Sequence, residues 1–129
     1  MGFYTYAIKV TQACLLSFVL VAPAKAETIL VMFESQGCPY CELWKEEIGP
    51  IYPKTAEGQR APLMMLDIND DLPEGFNIAS SINYTPTFVL LDNGQEVTRL
   101  AGYPGDNFFW GLLERMIGML PEPNTEGSS

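Results

Sequence analysis

Apolar and polar residues fall into runs whose period changes along the chain, and those changes lay out the elements. Thr28-Ile29-Leu30-Val31-Met32-Phe33 is β-branched and apolar with little polar alternation. That is the pattern of a strand covered on both faces. Glu34-Ser35-Gln36-Gly37 follows as a turn. Beyond it Cys41, Trp44 and Ile48 recur at three- and four-residue spacing, with Glu42, Lys45, Glu46 and Glu47 between them. This predicts an amphipathic helix starting at Cys38, ended or kinked by Gly49-Pro50. Residues 51–60 are irregular or a kinked continuation. Pro62 to Ile68 predicts a second buried strand.

Asn69-Asp70-Asp71 is a turn, and Leu72 to Ser81 a weak helix, with Pro73 tolerated in its first turn and Gly75 costly. Asn83-Tyr84-Thr85-Pro86 leads into a third strand, Thr87 to Leu91. Asp92-Asn93-Gly94 is a hairpin turn. The alternation from Gln95 to Ala101, with Val97 and Leu100 inward, fits an antiparallel edge strand. After Gly102-Tyr103-Pro104-Gly105, Asp106 is placed to cap a last helix, Asn107 to Leu120. Its expected stripe is Phe108, Leu112, Arg115/Met116 and Met119. The order β-α-β-α-β-β-α predicts an α/β domain, a mixed sheet with helices on both faces.

The two ends stand apart from this pattern. Residues 1–11 carry Lys9 and no acid, Ala13 to Ala22 is almost wholly apolar, and Ala24-Lys25-Ala26 places small residues where a signal peptidase reads them. Residues 1–26 are therefore expected to be a signal peptide cleaved before Glu27, too short in its apolar core to span a bilayer. Cys14 leaves with it. Residues 27–121 form the domain, and 122–129, polar and acidic, a flexible C-terminal tail.

Charge then narrows the classes of function. The whole chain carries a formal −9. Without residues 1–26 it keeps five basic residues (Lys45, Lys54, Arg60, Arg99, Arg115) against 16 acidic ones and is more acidic still. That argues against a nucleic-acid partner and against stable association with an anionic membrane once the signal is gone. There is no histidine, which removes His-based metal sites, His–Cys dyads and Ser–His–Asp hydrolysis.

Two cysteines remain, Cys38 and Cys41, in Gly37-Cys38-Pro39-Tyr40-Cys41. A pair this close is a weak brace, because the loop it closes is tiny. Chemistry explains it better. Cys38 falls at the first turn of the helix, where unpaired N–H groups and the helix dipole stabilise a thiolate. Cys41, one turn deeper, can attack a mixed disulfide at Cys38 and release the substrate. Pro39 suits a first turn, and Tyr40 either flanks a substrate groove or shades the pair. Two other readings stay open. Two thiolates can hold copper(I), with Met64 and Met65 in a strand as further soft groups, or the disulfide is inert in a structural or binding module. Zinc and iron–sulfur sites want four ligands, so no metal and no cofactor is implied.

The strand, the paired-cysteine turn and the Thr85-Pro86 step together resemble the thioredoxin superfamily over nearly all of residues 27–121. Cys-Pro-Tyr-Cys is the motif typical of glutaredoxins. The longer run from Cys38 to Thr55 is similar to small periplasmic thioredoxin-like proteins of bacterial sulfur-oxidation gene clusters, the SoxS-like group. The resemblance implies a thioredoxin-like fold in which Cys38 is the nucleophile, Cys41 the resolving thiol and Pro86 a cis-proline facing the disulfide. It implies that the backbone of Thr85 pairs with an extended substrate segment, and it matches Gly102 to a glycine near the active face.

Two departures bear on mechanism. The family buries an acid in the strand before the motif, and the matching residue here is Met32. Glu34, two residues on and on the same side of the strand, is the candidate to assist proton transfer through water. The histidine that oxidases of the superfamily often carry between their cysteines is replaced by Tyr40, which points to a reductant. The acidic surface, with Asp70-Asp71 and Asp106, is a poor match for glutathione. The expected activity is that of a periplasmic thiol–disulfide oxidoreductase. Its expected partners are a protein with a reactive cysteine or disulfide, a sulfur carrier by resemblance, and a membrane thiol electron donor.

Overall fold

The computed structural model describes residues 27–122. The expected signal peptide and the tail from residue 123 lie outside the described residues. Four strands form one mixed sheet in the order β2-β1-β3-β4: β1 (Thr28–Glu34), β2 (Leu63–Asp67), β3 (Thr87–Asp92) and β4 (Gln95–Ala101). Three helices join them: α1 (Pro39–Glu47), α2 (Ala56–Arg60) and α3 (Asp106–Ile117), with a single 3-10 turn at Tyr52–Lys54 before α2. β1 runs parallel to β2, with Met32 opposite Met65, and antiparallel to β3, with Met32 opposite Phe88. This is the α/β thioredoxin-like fold expected, with its β-α-β and β-β-α halves.

The period of two in β1 and β3 splits their side chains between two cores. Leu30, Met32, Phe88 and Leu90 face α1 and α3, which contribute Trp44, Ile48, Phe109 and Leu113. Trp44 sits at the centre, its ring centroid 5.3 Å from Phe88 and 5.7 Å from Phe109. Such tilted and edge-on pairs add to the area they bury. Val31, Phe33, Val89 and Leu91 face the other way, against Phe76, Ile78 and Ile82.

That second cover corrects one element. Residues 72–81 form no helix; they run as turns with one isolated bridge, Asn77 to Gln95. The segment is tied down residue by residue. Asn77 N–H donates to Gly94 O, and Glu96 N–H to Asn77 O. Arg99 donates to the carbonyls of Ser80 and Ser81, and Glu96 Oε2 accepts from Ala79 N–H at 2.6 Å. With Pro73 and Gly75 lowering helix propensity, these bonds to β4 win. The hairpin turn at Asn93-Gly94 is the expected one, with both residues at positive φ. Gly94 is also pressed against this cover: a Cβ there would lie 2.1 Å from Gly75 O.

Three smaller differences follow from packing. β2 is an edge strand rather than a buried one, and its Met65 is exposed. α3 is capped by Gly105, with Asp106 its first residue accepting from Asn107 N–H. Its buried stripe is Phe109, Leu113 and Met116, while Phe108 is 69 % exposed. The irregular 51–60 stretch resolves into the 3-10 turn and α2, pinned by the Tyr52 hydroxyl donating to Ala61 O at 2.7 Å.

Candidate active site

β1 delivers the chain to the Glu34–Gly37 turn, and α1 begins directly after it. Pro39 occupies the first helical position and Cys38 is the N-cap. A proline fits there because its missing N–H would have had no partner. Cys38 and Cys41 are joined in a disulfide. The backbone N–H of Cys41 donates to Cys38 Sγ at 3.2 Å, so the sulfur holds the place that a serine or aspartate oxygen holds in most caps. On reduction, the same N–H and the positive end of α1 favour the thiolate at Cys38.

The two sulfurs are not equivalent. Cys38 keeps 8 % of its surface exposed and Cys41 none. Cys41 is packed in one core with Met32, Trp44 and Phe88, a setting that disfavours charge. Of the two sulfur-bearing residues, only Cys38 keeps any exposed surface.

Across from the motif, the Thr85–Pro86 peptide is cis. Pro86 O accepts from Gly102 N–H at 2.7 Å, and Thr87 Oγ1 donates to Tyr84 O at 2.7 Å, which set the loop against β4 and its own turn. Among the described residues, no hydrogen bond engages the backbone N–H or C=O of Thr85. Tyr40, Thr85, Pro86, Gly102 and Tyr103 line one groove of about 260 Å³. The residues singled out from sequence around the cysteines, Tyr40, Thr85, Pro86 and Gly102, are thus brought together. Tyr40 stands 61 % exposed at the groove.

Glu34 is placed elsewhere. It lines a separate depression of about 150 Å³ with Ser35, Gln36, Gly37, Glu42, Lys45 and Asp67. Lys45 Nζ lies 2.8 Å from Glu34 and 2.7 Å from Glu42. The bond to Glu34, then that to Glu42, holds the lysine above its usual pKa. Met32, at the family's acid position, is fully buried in the same core as Cys41.

Three residues of the site, Ser35, Glu47 and Tyr103, carry no signal in the sequence. Ser35 shares a hydroxyl–hydroxyl hydrogen bond of 2.7 Å with Thr85. Tyr103, read as a turn residue, is buried in the groove wall, and its hydroxyl donates to Glu47 at the end of α1. Burial, then the Glu47 bond, pushes the Tyr103 phenol well above its usual range. Only the pairing of loops from distant parts of the chain reveals these contacts.

The comparisons with known proteins agree with this geometry. The model of the thioredoxin-like domain family matches residues 19–117. The crystal structure of the periplasmic thioredoxin SoxS from Paracoccus pantotrophus, in its reduced form, is 49% identical, covering 72% of this chain and 98% of that one with a TM-score of 0.71. Fasciola hepatica thioredoxin is 23% identical over 70% of this chain and 81% of that one, with a TM-score of 0.52, a likeness of fold. A thioredoxin-fold protein from Helicobacter pylori is 20% identical over 71% of this chain and 70% of that one, with a TM-score of 0.51. No curated protein sequence matches. A close-set disulfide at a helix N-terminus, in this fold and beside such a relative, makes the protein a thiol–disulfide oxidoreductase. The chain is closely related to SoxS-like thioredoxins and belongs to the thioredoxin-like domain family.

Proposed function

We propose that the protein is exported to the periplasm and works there as a dithiol reductase on a partner protein. The observation that carries this reading is the asymmetry of the pair. One sulfur, Cys38, reaches the surface at a helix N-terminus beside an open groove, and the other is sealed beneath it. The relationship to a periplasmic thioredoxin supports the location, with residues 1–26 as the export signal. The absence of histidine supports the direction, since no imidazole stands next to the disulfide to stabilise the thiolate form as in strong oxidants.

In the proposed cycle the Cys38 thiolate attacks one sulfur of a substrate disulfide. An S–S bond forms between Cys38 and the substrate, the substrate's own S–S bond breaks, and its departing thiolate takes a proton. Cys41 then loses its proton and attacks Cys38 Sγ, freeing the second substrate thiol. The substrate gains two electrons and two protons, and Cys38–Cys41 is oxidised. A membrane-borne dithiol returns two electrons and two protons. A modified cysteine carrying one extra sulfur is reduced by the same two steps, with the sulfur leaving as sulfide. The relationship to SoxS favours a sulfur-carrier protein as the partner. Thr85 and Pro86 hold the substrate segment, and Glu34 is the candidate to take the Cys41 proton through water, although it is paired with Lys45 and lines a separate depression.

Trapping tests the roles and titration tests the direction. With Cys41→Ser, partner proteins accumulate as mixed disulfides through Cys38. Equal trapping by Cys38→Ser would overturn the assignment. A redox potential nearer about −270 mV than about −120 mV supports a reductase, and the reverse result rejects it.

A further inference from the structure

Two parts of the chain face each other across the groove. One is α1, which carries Tyr40 and the cysteines. The other is a pair of loops, Thr85–Pro86 and Gly102–Tyr103. Pro86 O accepts from Gly102 N–H at 2.7 Å, so the two loops are held as one wall. Beside Gly102, Tyr103 is 7 % exposed and packs in the same core as Cys38 and Cys41, its ring centroid 6.0 Å from Phe109. Its hydroxyl donates to Glu47 Oε2 on α1.

Neither end of that bond is explained by its own surroundings. The core needs only the Tyr103 ring, which a phenylalanine would supply. Glu47 is the last residue of α1 and is exposed. A carboxylate there faces the negative end of the helix dipole, an unfavourable place for it. Among the described residues no ion pair reaches Glu47 to offset this. The bond to Tyr103 is the contact that accounts for both groups, and a charged acceptor makes it a strong one. It joins the far end of α1 to the loop wall, as the Ser35–Thr85 bond joins the turn before α1 to the same wall.

We propose that Tyr103 and Glu47 are a pair of positioning residues for substrate polypeptides. Their bond, carried to Pro86 through Gly102, sets the separation of the loop wall from α1 and so the fit of a peptide beside Cys38. No contact between Tyr103 and the substrate is needed. The inference rests on the reading of this groove as the substrate's seat.

The test compares two disulfides with the reduced protein. One is a peptide whose single cysteine carries thionitrobenzoate, and the other is mercaptoethanol carrying the same group, too small to span the groove. The readout is the ratio of their second-order rates of thionitrobenzoate release, which a general weakening of the fold would leave in place. Tyr103→Phe is expected to lower the ratio about tenfold, because misplacement of a bound group is costly to its reaction. Glu47→Leu should lower it equally, and it breaks the same bond from the exposed side of α1 should Tyr103→Phe fail to fold. Glu47→Gln keeps an acceptor oxygen and should lose less than Glu47→Leu. Tyr103→Phe and Glu47→Leu combined should fall no further than either alone, since both remove one interaction. An unchanged ratio in the single variants overturns the proposal, as do additive losses in the double variant. A peptide no faster than mercaptoethanol with the unaltered protein rejects the groove reading and this inference with it. Failure of both disulfides to react rejects the oxidoreductase reading beneath them.

Discussion

Ser35 and Thr85 lie in different loops, yet their hydroxyl oxygens are 2.7 Å apart. The bond ties the turn that presents the cysteines to the loop that ends in the cis-proline. It is a direct side-chain link between the two halves of the site. Ser35→Ala leaves the Thr85 hydroxyl without that partner in a half-buried position. Stability is expected to fall by about 1 kcal/mol in denaturant titration. The larger effect should be on KM for a peptide disulfide, because the loop proposed to hold the substrate loses its tie to the turn that presents Cys38. A fall in kcat at unchanged KM would show that the bond does not position the wall.

Glu34 and Lys45 form an ion pair on the other side of the motif. Lys45 follows Cys41 by one helical turn, so the two share a face of α1. If Glu34 takes the Cys41 proton through water, Glu34→Gln leaves the first attack by Cys38 unchanged and slows the second by about tenfold. Stopped-flow measurement should then show a mixed disulfide accumulating in the variant. Unchanged rates for both steps would remove Glu34 from the mechanism.

Glu96 and Arg99 make a two-pronged contact on the far side of the sheet. Arg99 Nε donates to Oε1 at 2.6 Å, and its Nη2 donates to Oε2 at 2.8 Å. The Arg99 bond holds the Glu96 carboxyl below its usual pKa. The unfolded chain protonates such a residue at about pH 4.3. The pair's contribution is therefore complete above that value and is lost as pH falls through the lower folded value. Arg99→Gln is expected to cost about 1–2 kcal/mol at pH 7. The difference between the variant and the unaltered protein should narrow as pH drops below about 4.3, leaving the part due to the bonds from Arg99 to the Ser80 and Ser81 carbonyls. A difference constant with pH would contradict it.

Phe108 and Phe109 are neighbours with opposite fates. Phe109 is fully buried, its ring centroid 5.1 Å from Phe88. Phe109→Ala is expected to cost about 3–5 kcal/mol. Phe108→Ala should stay within about 0.5 kcal/mol. Denaturant midpoints of the two variants compare them directly.

Much of the fold is legible in the chain, for identifiable reasons. β1, β3 and the Asn93-Gly94 turn are read from short-range pattern, which their local chemistry determines. The start of α1 follows from Pro39 and the cysteine spacing. The stripe of α3 lies one residue from the expected one because its apolar residues come in doublets, Phe108-Phe109 and Leu112-Leu113. Either member can make a helical stripe, and only the position of the sheet chooses between them. Residues 72–81 lack a clear period, and their conformation depends on Glu96 and Arg99, supplied by β4. In the site, the paired cysteines, Thr85 and Pro86 are legible from their motif. The Ser35–Thr85 and Tyr103–Glu47 contacts join loops far apart in the chain, where no periodicity reaches.

The covers on the two faces of the sheet are of different kinds. The disulfide turn is backed by the aromatic face, where Trp44, Phe88 and Phe109 interlock. The loop to Tyr84 and Pro86 emerges from the other cover, a segment without a helix, strapped to β4 by side chains. Apart from the Ser35–Thr85 bond, the disulfide turn and the proline loop thus rest on different covers of the sheet. If Thr85 and Pro86 hold the substrate as proposed, drift in residues 72–84 would reshape which proteins are accepted while the sulfur chemistry stays as it is, so descendants of such a chain would exchange clients without relearning the reaction.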